Sequence, residues 1–123
     1  MNGIDFIADT NFVIYLLEGK EEVKVFEEYS YAISFITEIE LLGNLNISKE
    51  EKLIIKELLK NCVIFDLNDS IKDITIDLKQ YNKIKIPDAI IAATSLYLNI
   101  PLITADKYFG KINGLNAVIL EIS

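Results

Sequence analysis

Asp9, Glu40, Asp88 and Asp106 are the residues of this chain whose type and spacing could do chemistry. Asp9 follows the apolar run Phe6-Ile7-Ala8 and precedes Thr10-Asn11 and a helical stretch, so it falls where a short buried strand ends. In an open parallel sheet that carboxyl edge is where ligands bind, because loops diverge there and helix N-termini aim free N–H groups into the crevice. The other three acids fall at comparable places, each beside a strand end or in the first turn of a helix. Four carboxylates aimed at one point cannot all stay ionised without cations. The pattern therefore predicts a divalent-metal site. The chain has no histidine and one cysteine, so the donors are hard oxygens, which suit Mg2+ or Mn2+ far better than zinc.

Each acid taken alone has a duller explanation. Asp9 before a helix is a good N-cap, and Thr37-x-x-Glu40 has the form of a capping box. Asp88 just after Pro87 is what the helix dipole favours, and Asp106 in Thr104-Ala105-Asp106 reads as a turn acid. Together, four acids at the carboxyl edges of separate segments have no shared structural reason to converge. Glu38 and Glu40 are two residues apart and point to roughly opposite sides of their helix, so only one of them can face the site.

The elements that must position these acids alternate. Ile4 to Ala8 reads as a first strand, and Phe12 to Leu17 as a helix stopped at Gly19. Glu21 to Tyr29 reads as a short amphipathic helix with Val25, Phe26 and Tyr29 inward. Tyr31–Ser34 is a second strand, leading into a helix over Phe35–Leu42. Ser48 caps a helix from Lys49 to Lys60, with Leu53, Ile54, Glu57 and Leu58 setting its amphipathic spacing. Cys62 to Leu67 is a third strand, and Asn68-Asp69-Ser70 opens a helix through Tyr81 with Ile71, Ile74 and Leu78 inward. Pro87 suits the first position of an apolar helix ending at Asn99. Pro101 to Thr104 is a fourth strand, Ala105 to Lys111 a turn, and Ala117 to Leu120 a last strand. Strands and helices in this alternation specify right-handed βαβ units, hence a mainly parallel sheet in a three-layer α/β/α sandwich.

The totals bound the partners. The 123 residues are expected to form one domain, 1–123, of globular composition, 51% hydrophobic and 25% charged. A mean hydropathy of +0.31 is high for so small a chain, and part of its apolar surface is expected to lie under a partner. Cys62 has no internal disulfide partner and reads as a small buried hydrophobe. No run approaches membrane-spanning length, and the N-terminus carries Asp5 and Asp9 where a signal peptide would carry Lys or Arg, so a cytoplasmic location is expected. Twelve lysines and no arginine stand against nineteen acids, a net charge of −7. Such a total repels nucleic acid. Its distribution differs, because Lys79, Lys83, Lys85, Lys107 and Lys111 face only Asp88 and Asp106 across residues 79–111. That edge is either a solvated face or a phosphate contact. Tyr81 and Tyr97 could stack on bases, although core packing is the simpler reading of Tyr97.

Four blocks carry a family resemblance: Ile7-Ala8-Asp9-Thr10-Asn11; Ile33-Ser34-Phe35-Ile36-Thr37-Glu38-Ile39-Glu40-Leu41; Ile86-Pro87-Asp88-Ala89-Ile90-Ile91-Ala92-Ala93-Thr94; and Leu102-Ile103-Thr104-Ala105-Asp106. In this order they resemble the signature blocks of PIN-domain ribonucleases, in particular the VapC-type toxins of toxin–antitoxin pairs. The resemblance spans nearly the whole chain. It implies that Asp9, Glu40, Asp88 and Asp106 hold the metal, with Glu40 selected over Glu38, and that Asn11 and Thr104 sit behind them as polar supports. It further implies an Mg2+- or Mn2+-dependent endoribonuclease acting on RNA, a homodimer or higher oligomer, and a small antitoxin that covers the site. Arginine, which often supplies basic contacts near the third block in this family, is missing here. Lys83 and Lys85 would substitute as point charges, with Lys107 beside them. Gly110 and Asn113 stand where some members carry a further acid, which leaves the number of metal ions open.

Two alternatives remain at this level. A haloacid-dehalogenase-like phosphatase needs a second Asp two residues after the first, where this chain has Asn11. A receiver domain needs an acid pair after its first strand, and only one acid is there. A PIN-like domain that has lost catalysis and serves as an interaction module is the second alternative.

Overall fold

The apolar runs between turns are too short for helices and too continuous for a sheet with one wet face, and they become strands covered on both sides. The computed structural model describes residues 3–123. Its five strands are β1 (Phe6–Ala8), β2 (Tyr31–Ser34), β3 (Val63–Phe65), β4 (Leu102–Thr104) and β5 (Ala117–Ile119). Five α-helices join them: α1 (Thr10–Glu18), α2 (Phe35–Leu42), α3 (Lys49–Leu59), α4 (Asp69–Tyr81) and α5 (Ile86–Leu98). The strands form one parallel sheet in the order β3-β2-β1-β4-β5. The α/β/α expectation holds.

Register explains the two cores. Ile7 pairs with Ala32 on one side and Leu102 on the other, and all three join the core under α4 and α5 with Ile71, Leu78 and Ile91. The next residues along, Ala8, Ile33 and Ile103, belong to the opposite core with Phe12 and Val13 of α1 and Ile55 and Leu59 of α3. Successive side chains leave a strand on opposite faces, so two adjacent apolar residues serve both layers. Helix α5 is buried from Ala89 through Ser95, and its alanines let it lie close on the sheet. It ends at Asn99, whose φ of +55° is the left-handed cap conformation that Asn tolerates.

Several local expectations are corrected. The segment after α1 is a 3-10 helix over Glu21–Phe26, so its inward residues recur every three positions; Val23 is buried and Val25 is 74% exposed. On α3, Ile55 and Leu59 face the core, while Leu53 and Ile54 lie outside. Tyr97 is 45% exposed rather than packed inside. Helix α1 starts at Thr10, and α5 at Ile86, which places Pro87 one position later than expected. Cys62 is only half-buried, its thiol held up by that burial. No helix among the described residues is long and apolar enough to cross a membrane.

Candidate active site

Because all strands run one way, β1, β2 and β4 open onto the same edge. The chain leaves β1 for β2 on one side and returns to β4 on the other. The diverging connections leave a crevice at that switch point.

Asp9 stands in it, 5% exposed. It is the N-cap of α1: Phe12 N–H donates to Oδ1 at 2.8 Å, and the Thr104 hydroxyl donates to Oδ2 at 2.5 Å. The capping role anticipated for this residue is therefore real, and it occupies one oxygen. Burial raises the Asp9 carboxyl to about 6 from 3.8; both hydrogen bonds oppose the rise, and the charges of Asp88 and Asp106 add to it.

Asp106 begins a single 3-10 turn over Lys107–Lys111, accepting from Tyr108 N–H at 2.9 Å. Its own N–H donates to Thr104 Oγ1 at 3.0 Å. Thr104 is thus bonded to both acids. Asp88, in the first turn of α5, is also raised, by burial first and then by Asp106 and Glu40, with Lys85 opposing. Glu40 lies on the second turn of α2, where Thr10 donates to Oε1 at 2.5 Å; Thr10 Oγ1 is also 3.0 Å from the Thr37 hydroxyl. The capping-box reading of Thr37 and Glu40 fails, because Ser34 is the N-cap of α2 and Thr37 lies inside the helix. Glu40, not Glu38, is the glutamate whose charge reaches Asp88.

The four acids share one electrostatic neighbourhood without being clasped together. Glu40 is turned to Thr10, and Asp106 to the backbone of its own turn. Among the described residues, no three acids stand tightly enough to grip one ion with the side chains so engaged.

The supporting residues divide. Thr104 is fully buried between two acids. Asn11 is exposed, and among the described residues no side-chain hydrogen bond joins it to the acids; Thr10, which the sequence did not single out, makes that connection. Lys83 and Lys85 line a cleft of about 290 Å³ with Asp88, Asp106 and Tyr108. Lys79 donates to the Ile84 carbonyl at 2.7 Å, whereas Lys107 is largely exposed and only 3.8 Å from the equally exposed Glu121.

A parallel doubly wound sheet with an anionic switch point defines the class: an α/β protein whose crevice is lined by acids rather than by a glycine-rich phosphate loop. Within that class, the chain belongs to the PIN domain family, whose model matches residues 6–115. One chain of a toxin–antitoxin complex from Klebsiella pneumoniae superposes with a TM-score of 0.81 at 30% identity, over 93% of this chain and 96% of that one. VapBC-1 from nontypeable Haemophilus influenzae matches with a TM-score of 0.75 at 27% identity, covering 94% and 98%. VapBC2 from Rickettsia felis, bound to a promoter DNA fragment, gives 0.78 at 20% identity, covering 96% and 100%, a likeness of fold. The similarity is thus to the VapC-type branch of the family. No curated protein matches the chain.

Proposed function

We propose that this protein is a divalent-metal-dependent endoribonuclease, the toxin of a toxin–antitoxin pair. The observation that carries this reading is that Asp9, Glu40, Asp88 and Asp106 come from four separate segments and meet at a single sheet edge, where the charges of Asp88 and Asp106 reach Asp9 and those of Asp106 and Glu40 reach Asp88. Perturbed acids gathered in a crevice mark functional sites more often than structural ones.

The donor set fits a hard cation. It is all oxygen; burial first, and then the neighbouring carboxylates, hold Asp9 and Asp88 up, and a dication would offset both by stabilising the ionised forms. Asp9 and Asp88 would hold Mg2+ or Mn2+, with Glu40 and Asp106 directly or through water. When bound, the ion supplies Lewis acidity toward the scissile phosphodiester and the attacking water. The chain's own residues do the rest. Thr104 fixes the Asp9 carboxylate, Thr10 fixes that of Glu40, and the β1–β4 packing keeps water from the inner side of Asp9. Lys83 and Lys85 draw the phosphate backbone to the acids. With no histidine pair to recruit a ribose hydroxyl, cleavage leaves a 5′-phosphate and a 3′-hydroxyl.

An antitoxin belongs to the same reading. A groove of about 380 Å³ between α1, α2 and α3 is lined by Ile14, Leu17, Leu41, Ile54 and Ile55, with Glu18, Glu40 and Glu51 among them. An apolar floor with an acidic lining suits an amphipathic helix, and a segment seated there lies against Glu40. The homodimer implied by the resemblance and the cytoplasmic location expected from the sequence complete the proposal.

A catalytically silent PIN-like module is the second reading, favoured by the engagement of Asp9, Glu40 and Asp106 with hydroxyl and backbone donors. Cleavage of mixed single-stranded and structured RNA with Mn2+, Mg2+ or EDTA, beside Asp9→Asn, separates the two. Metal-dependent cutting lost in the variant supports the nuclease, and silence without metal binding supports the module.

A further inference from the structure

Among the described residues, Thr37, Thr75 and Thr94 are the threonines buried inside helices, and one of them is bonded differently. Thr75 and Thr94 each donate to the carbonyl four residues earlier in their own helix, to that of Ile71 at 2.7 Å and that of Ile90 at 2.8 Å. This back-bonding is the usual outlet for a threonine hydroxyl within a helix. Thr37, fully buried in α2, makes no such bond among the described residues. Its hydroxyl meets that of Thr10 instead, 3.0 Å away where α2 passes α1. Thr37 also stands three residues before Glu40, on the same side of the helix.

The distances give the direction of the protons. Thr10 Oγ1 lies 2.5 Å from Glu40 Oε1 and 3.0 Å from Thr37 Oγ1, and it has one proton to give. A hydroxyl that donates to a carboxylate makes the shorter and stronger bond, about 2.5–2.7 Å. The Thr10 proton therefore goes to Glu40, and Thr37 donates to Thr10. Glu40 needs that hold, because it is exposed and, among the described residues, pairs with no lysine and accepts from no other side chain. Thr10 takes Oε1 alone, which leaves Oε2 for a cation shared with Asp9, the residue before Thr10 in the chain.

We propose that Thr37 is a positioning residue of the acid centre: its buried hydroxyl donates to Thr10 and so commits the Thr10 proton to Glu40. Hydroxyls bonded in series polarise one another, which strengthens the last bond, the one to the carboxylate. Thr37 also fixes the Thr10 side chain, since a threonine in a helix otherwise divides between two χ1 rotamers. Without Thr37 the Glu40 carboxylate loses its one fixed partner and wanders from Asp9. The effect on metal rests on the reading of the acids as a cation centre; the chain of hydroxyls stands without it.

Its test compares wild type with Thr37→Val, Thr37→Ser, Thr10→Val and the double variant Thr10→Val with Thr37→Val, using Thr75→Val as the control whose hydroxyl serves its own helix. In metal-free protein, three-bond NMR couplings to the Thr10 methyl carbon show one χ1 rotamer in wild type and Thr37→Ser, and a mixture of two in Thr37→Val. By calorimetry, Thr37→Val binds Mn2+ about tenfold more weakly, and Thr37→Ser and Thr75→Val bind as wild type does. The double variant binds no more weakly than Thr10→Val alone, because the two hydroxyls act in series. A purely structural role would lower the melting temperature in EDTA and move none of these readings. A single Thr10 rotamer in Thr37→Val, wild-type Mn2+ affinity in that variant, or a loss repeated in full on the Thr10→Val background overturns the proposal. Wild type that binds no Mn2+, while Thr37→Val still frees the Thr10 rotamer, removes the metal reading and upholds the hydroxyl chain as the hold on Glu40.

Discussion

Thr104 donates its hydroxyl to Asp9 at 2.5 Å, joining residues 95 positions apart in the sequence. The bond crosses from the end of β4 to the end of β1, and the same Thr104 oxygen accepts the Asp106 N–H. One buried hydroxyl thus ties two acids to the two central strands. Thr104→Val removes it and leaves Asp9 Oδ2 buried with one donor fewer. The expected loss is about 1–3 kcal/mol of stability in urea denaturation, with Thr104→Ser recovering most of it. Equal stability of the valine variant would show the hydroxyl to be dispensable.

The Thr10 bond to Glu40 makes a parallel prediction on affinity instead of stability. Thr10 is only partly buried, so Thr10→Val should fold with little change. It frees the Glu40 carboxylate and should weaken Mn2+ binding about 10- to 100-fold by calorimetry, with Thr10→Ser near wild type.

Glu40 itself can be separated from any structural duty. Ser34 caps α2, so Glu40→Gln removes a charge without removing a cap. The variant should melt with wild type in EDTA and lose RNA cleavage almost entirely. An active Glu40→Gln protein would take Glu40 out of the site.

Asp9 gives a prediction in pH. Its folded carboxyl titrates near 6 and its unfolded one near 3.8, so between these values the native state binds more protons. Stability of the metal-free protein therefore falls as pH rises from about 4 to 6, by on the order of 2–3 kcal/mol at the neutral end. Asp88 is shifted in the same direction. Asp9→Asn keeps the cap, since asparagine is an equally good N-cap residue. In EDTA it should melt above wild type at pH 7 and level with it near pH 4.

Metal should act on the same buried carboxyl. Millimolar Mg2+ or Mn2+ is expected to raise the melting temperature of wild type at pH 7, by about 2.7 kcal/mol of stabilisation at a hundredfold excess over Kd, and to leave Asp9→Asn nearly unmoved. Identical melting with and without the ions would count against a metal centre.

The sheet was legible because each strand is an apolar run bounded by a turn, and the acids were legible because each follows a strand or opens a helix. Faces were harder. Leu53-Ile54-Ile55 followed by Leu58-Leu59 allows two stripes on one helix, and only the neighbouring layer chooses Ile55 and Leu59. Val23 rather than Val25 points inward because that segment winds with three residues per turn, a choice the alternating charges conceal. The hydroxyls split similarly. Thr104 came from the resemblance, but Thr10 meets Glu40 only because α2 passes the first turn of α1, and nothing local in Asp9-Thr10-Asn11 announces that crossing.

The strand order carries a consequence in time. Strand β1 is made first yet sits in the middle of the sheet, and its second neighbour, β4, is synthesised nearly a hundred residues later. Asp9 gains its Thr104 partner, and Asp106 its place, only when that late strand docks. While the chain is being made, its early acids are present but have nothing to converge upon. The acid centre is therefore a late part of the sheet to be assembled, however early its first acid is made.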